Sequence, residues 1–221
     1  MTIIQKINTK HKITILDTTL REGEQSFRLC FSVSEKITFI KYLHNFGITF
    51  IEIGNPSISE VEKIACTTIV KEINEYNLQN STLDYKYTNI ELLVHARANM
   101  QDILNANDTN ATWIGIWISI NDIALQSKFT NKSLDWIIKQ AVESITLAKK
   151  LGFKVRFTIE DASRTNLEDI ELLIKAIASI NNISNSTPDV LSVADTVGIW
   201  HPNICYEFIL NIKNYLLKYQ L

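Results

Sequence analysis

Apolar and polar positions alternate along this chain in a repeating cycle: a short apolar run ends in a polar cluster, and an amphipathic stretch of helical spacing follows. Ile13, Ile15 and Leu16 open the first cycle as a strand running into the polar mouth Asp17-Thr18-Thr19-Leu20-Arg21-Glu22-Gly23-Glu24-Gln25. Ser34-Glu35-Lys36 reads as a helix start, followed by Ile37, Phe39, Ile40, Leu43 and Phe46 at helical spacing, with Gly47 as the stop. Ile48 to Ile53 reads as a second strand, ending at Gly54-Asn55-Pro56, and a helix follows from Ser59 to Glu75. Asn77 to Asn89 is polar and without periodicity, which predicts a surface loop.

The cycle then resumes. Ile90 to Val94 is a strand ending in His95-Ala96-Arg97, and a short helix spans Met100 to Ala106. Ala111 to Ile120 is the next strand, and Ser133 to Leu151 an amphipathic helix closed by Gly152. Phe153 to Ile159 ends in Glu160-Asp161, and Leu167 to Ile180 is helical. Asp189 to Ala194 ends in Asp195-Thr196-Val197-Gly198. His201-Pro202 then opens a helix to Tyr219, with proline in the first turn, where its missing N–H costs nothing. Alternation of this kind calls for parallel strands with helical crossovers, and strands that all end in polar groups point to one shared rim. The expectation is an α/β fold of the TIM (β/α)8-barrel type, incomplete, with about six of the eight β/α units; residues 1–12 are a short leader and 13–221 the partial barrel.

Composition narrows the class. At 46% apolar residues a sizeable core can form in 221 residues. A formal charge of -2 with interspersed signs gives no footprint for nucleic acid, and no apolar run is long enough for a membrane span. Cys30, Cys66 and Cys205 are scattered and odd in number, which fits a reducing compartment. No hydrophobic signal core precedes Lys12, so the cytoplasm is the expected location.

Four strand ends carry candidate chemistry. Arg21 and Glu22 could stabilise a developing oxyanion and hold a divalent cation, although Glu22 could equally pair with a neighbouring base. Strand alternation puts Arg156, Thr158 and Glu160 on one face, where a buried Arg and Glu must be paired with each other or used. His95 could be a ligand group or a packed side chain. Ala194 to Gly198 could be ordinary loop chemistry. His201 reads as a helix-start residue, and His11 and His44 as surface or packing residues.

The contiguous Asp17-Thr18-Thr19-Leu20-Arg21-Glu22-Gly23-Glu24-Gln25 resembles the signature of the homocitrate synthase and isopropylmalate synthase family of the DRE-TIM metallolyase superfamily. His95-x-Arg97, Arg156 with Thr158-x-Glu160, and Ala194-Asp195-Thr196-Val197-Gly198 resemble later segments of the same family. The resemblance implies Arg21 as catalytic arginine, Glu22 as first metal ligand, and Gln25 at the substrate mouth. It implies His95 and Arg156 as contacts to the keto acid's carboxylates, with Thr196 touching a carboxylate and Glu160 assisting proton transfer. Thr158 stands where the family has serine and keeps the hydroxyl. The implied reaction is a Claisen condensation of acetyl-CoA, as co-substrate, with a 2-oxo acid, 2-oxoglutarate by the His95 and Arg156 features, using Mg, Mn or Zn. Isopropylmalate or citramalate synthesis is the rival reading. The family's His-x-His metal pair does not occur in this sequence. A truncated, inert fragment is therefore a further expectation, as is a subunit completed by a C-terminal chain; a complete family member would be a homodimer.

Overall fold

In a computed structural model, residues 13–80, 89–181 and 186–221 are described; the expected leader and most of the expected 77–89 loop lie outside them. Six strands form one parallel sheet in the order in which they occur: β1 (Leu16–Asp17), β2 (Phe50–Gly54), β3 (Glu91–Arg97), β4 (Trp113–Ser119), β5 (Lys154–Glu160) and β6 (Val190–Val193). Every adjacent pair is parallel. The sheet is an open, incomplete barrel: among the described residues β1 and β6 each pair on one side only.

The crossovers are α2 (Val33–Phe46), α3 (Glu60–Asn80), α4 (Met100–Asn107), α6 (Leu134–Lys150) and α7 (Leu167–Ser179), with α8 (Pro202–Lys218) after β6. Their apolar stripes, such as Ile137, Ala141, Ile145 and Ala148 of α6, cover the outer sheet face of Val94, Ile114, Val155 and Phe157. On the concave face a small second cluster, Phe50, Leu93 and Trp113 with Leu16, fills the N-terminal end of the half-barrel. The C-terminal end is left to polar side chains.

Several boundaries differ from expectation for local reasons. The first strand is two residues long, and Ile13 and Ile15 are exposed, because β1 meets β2 only at Leu16↔Phe50 and Asp17↔Ile51. The presumed opening loop is helical instead: α1 (Thr19–Glu22) and a 3-10 turn, Gly23–Gln25. Helix α2 starts earlier than Ser34 because Ser32 and Glu35 form a reciprocal capping box. Helix α3 runs past Glu75 to Asn80, and the Asn77 side chain bonds both the N–H and the carbonyl of Ile90, fixing the start of β3. A short helix, α5 (Asp122–Ser127), capped by Asn121, was not foreseen between β4 and α6. No helix among the described residues is long and apolar enough to cross a membrane.

Candidate active site

The strand ends open into a cleft of about 810 Å³, lined among others by Arg21, Glu22, Gln25, His95, Arg156, Thr158, Glu160 and Thr196. The sequence scatters these residues over 176 positions, from Arg21 to Thr196; parallel strands in consecutive order bring all of them to one rim.

The centre of the arrangement is a residue the sequence reading passed over. Glu52, in the middle of β2, is fully buried. Its Oε1 lies 2.9 Å from Arg21 Nε and 2.6 Å from His95 Nδ1. A carboxylate only accepts, so Nδ1 carries the proton and Nε2 is the ring atom left for a ligand. Burial pushes the Glu52 carboxyl up, but His95, Arg21 and Arg156 together outweigh it and hold it below the usual carboxylate range. The available signal was a lone acid inside the apolar strand Phe50-Ile51-Glu52-Ile53, since an unpaired charge is almost never fully buried.

Arg156 sits on β5 beside this group. Its Nη2 donates to Ser192 Oγ at 3.1 Å, and it makes no ion pair among the described residues. Burial depresses its pKa. The alternative of an Arg156–Glu160 bridge is not what forms: Glu160 pairs with Lys128, 2.6 Å away just after α5. That ammonium also lies 5.6 Å from the Trp117 ring centre, and Trp117 stacks on His95 with centroids 5.8 Å apart. Thr158 Oγ1 is buried with no hydrogen-bond partner among the described residues. Thr196 Oγ1 accepts the Asp161 N–H at 2.9 Å, leaving its own hydroxyl proton free to donate. Asp161 takes a left-handed conformation, φ 57°, held by Asn121 and Arg164, and so turns the chain sharply after Glu160.

The opening segment is fixed from below. Lys36, almost fully buried, places Nζ 2.7 Å from Glu24, 3.5 Å from Glu62 and 3.3 Å from the Ile53 carbonyl. Burial opposes its charge, but Glu24 and Glu62 outweigh that and hold its pKa above the usual value. Burial pushes the neighbouring Cys66 thiol up to about 12, which makes it inert as a nucleophile. His201 caps α8 by accepting the Asn203 N–H, a helix-start role.

Gly115 makes room for the Leu93 side chain, with the His95 ring in ordinary contact beside it. A Cβ there would lie 2.9 Å from Leu93 Cδ2 and 3.6 Å from His95 Nδ1. Gly115→Ala is therefore expected to cost about 1–3 kcal/mol and to shift the His95 ring resonances in a two-dimensional NMR spectrum. Unchanged stability and unchanged His95 shifts would contradict this packing.

A divalent metal does not fit the described residues. Glu22 is largely exposed and is held by Arg21 and Gln25. No group of three or more His, Cys, Asp or Glu side chains that could hold an ion occurs among the described residues. A single carboxylate is too small a donor set for tight divalent binding.

The model of the HMGL-like family matches residues 12–220. The chain is 33% identical to a homocitrate synthase of Pyrococcus abyssi, covering 91% of this chain and 50% of that protein. It is 32% identical to a 2-isopropylmalate synthase of Sulfurisphaera tokodaii, with coverages of 93% and 48%. It is 34% identical to a putative (R)-citramalate synthase of Archaeoglobus fulgidus, with coverages of 91% and 37%. The chain thus spans about half the length, or less, of these curated relatives. Among solved structures, hydroxymethylglutaryl-CoA lyase from Pseudomonas aeruginosa superposes with a TM-score of 0.68 at 14% identity, covering 93% of this chain and 65% of that one.

Proposed function

Because this chain belongs to the HMGL-like family, we propose that its cleft binds a 2-oxo acid for condensation with acetyl-CoA, and that the acid is the dicarboxylate 2-oxoglutarate. The observation that carries this reading is Arg156, a half-buried cation in the cleft that forms no ion pair among the described residues, beside the Thr158 hydroxyl, which has no hydrogen-bond partner there. Arg156 feels the Glu52 carboxylate without contacting it, because Arg21 and His95 hold that group, and an anionic ligand would supply the charge-assisted hydrogen bonds its guanidinium lacks.

The roles follow from the chemistry. Condensation removes a proton from the acetyl methyl, forms a carbon–carbon bond to the keto carbon, and leaves negative charge on the former keto oxygen. Arg156, Thr158 and Thr196 hold one carboxylate of the acid, and His95 Nε2 meets the other. Arg21, oriented by Glu52, donates to the developing oxyanion. Glu160 moves the proton, with Lys128 paired to its carboxylate. No step is assigned to a metal, and Glu22 is a rim carboxylate paired with Arg21. Release of free CoA by hydrolysis of the thioester completes the reaction.

The relatives include homocitrate, isopropylmalate and citramalate synthases at nearly equal identity. The choice of acid therefore rests on Arg156 and on His95, whose Nε2 donates to a carboxylate only with the ring protonated at both nitrogens. Calorimetric titration with 2-oxoglutarate, 2-oxoisovalerate and pyruvate tests it. Binding tightest for 2-oxoglutarate is expected, with CoA release from acetyl-CoA near background for this chain by itself. Tighter binding of 2-oxoisovalerate or pyruvate would select the rival synthases, and binding of none would overturn the reading.

A further inference from the structure

Trp117 is the largest side chain lining the cleft. On β4 it lies two residues beyond Gly115, so both positions face the concave side, and Gly115 is the residue in register with His95 of β3. With no side chain at Gly115, the ring that reaches the imidazole from β4 is that of Trp117. The two rings stack at 23°, with centroids 5.8 Å apart. Lys128 Nζ lies 5.6 Å from the centre of the same indole and 2.6 Å from the Glu160 carboxylate. A row of contacts therefore crosses the cleft wall through Glu52, His95, Trp117, Lys128 and Glu160, with Trp117 at its middle.

Glu52 and Trp117 hold His95 in different ways. The hydrogen bond from Nδ1 to Glu52 decides which nitrogen is left for a ligand. One bond to one ring atom still lets the imidazole turn about that bond. A stacked aromatic face removes this freedom, because tilting the ring would break the contact. The direction of Nε2 is thus set by the indole. A side chain meant to meet a carboxylate must be held to about 10–20° by the residues packed around it.

We propose that Trp117 is a positioning residue that makes the cleft select a dicarboxylate: its ring fixes the plane of His95 so that Nε2 meets the distal carboxylate of a 2-oxo diacid. This role rests on the keto-acid reading and deepens it, since a 2-oxo acid with a single carboxylate has nothing to place against His95.

Calorimetric titration of the parent and of Trp117→Leu with 2-oxoglutarate and with pyruvate tests it. The substitution is expected to weaken 2-oxoglutarate binding by about tenfold, the loss for a misdirected hydrogen bond to a charged group, and to leave pyruvate binding unchanged. Thr158 is the β5 residue in register with Trp117, so pyruvate also reports any damage that spreads to the other carboxylate's site. Trp117→Phe keeps an aromatic face and is expected to restore 2-oxoglutarate affinity to within about threefold of the parent. In a His95→Gln background, Trp117→Leu should cost no further affinity, because the residue through which it acts is gone. Trp117→Met takes the place of the leucine variant if that chain does not fold. Equal losses for the two acids, no loss for either, no rescue by phenylalanine, or additive effects of the His95 and Trp117 substitutions would overturn the proposal and leave the keto-acid reading standing. A parent chain that binds neither acid, or binds pyruvate more tightly, would overturn both.

Discussion

Replacing Glu52 with alanine is expected to destabilise the folded chain by about 3–5 kcal/mol, the range for removing one partner of a buried charge cluster. The carboxylate is fully buried, and Arg21 and His95 both approach its Oε1. Without it, Arg21 and Arg156 share a concave wall with no buried counter-charge. The same residue sets an acid limb. Its folded pKa lies below the usual value, because His95, Arg21 and Arg156 outweigh the opposing effect of burial. A carboxyl depressed on folding contributes stability that is full above its unfolded pKa, about 4.3, and is lost as pH falls through the folded value. Urea midpoints measured from pH 7 to pH 3 should therefore fall on the acid side in the parent and fall less in Glu52→Ala. Equal midpoints for the two chains at pH 7 would show that the cluster carries no stability.

Replacing Arg156 with methionine is expected to act in the opposite sense. Binding of 2-oxoglutarate should weaken by about 30-fold or more, since truncating one member of a desolvated charge pair costs about 2–5 kcal/mol. Folding stability should stay level or rise. Arg156 is half-buried, its pKa is pushed down by desolvation, and Ser192 is its hydrogen-bond partner. Methionine fills much of the same space without a charge to desolvate. Calorimetry paired with urea unfolding separates the cases: a structural arginine would lose stability, whereas a ligand-binding arginine loses only affinity. Joint loss of both, or unchanged affinity, would remove Arg156 from the binding role.

Strand order and the rim were legible because burial on both faces and polar termination leave a strong mark on sequence. Ile114, Ile116, Val155 and Phe157 announce buried strands, and His95, Glu160 and Thr196 stand where those strands end. What escaped detection shares one cause: its signal lies between elements distant in sequence. Glu52 looks like an odd residue in an apolar strand until Arg21 and His95 are brought to it. Lys128 follows a short helix too brief for periodicity, and its partners Glu160 and Trp117 come from strands β5 and β4. The end of α3 was missed because an exposed last turn needs no apolar stripe; the clamp of Asn77 on Ile90 holds it instead.

Each strand of the sheet lies against its immediate predecessor in the chain. During synthesis on the ribosome, therefore, no strand from β2 onward has to wait for a hydrogen-bonding neighbour still to be translated. The wall can grow by accretion, one strand and its covering helix at a time, and the loop closed at each step is a single crossover.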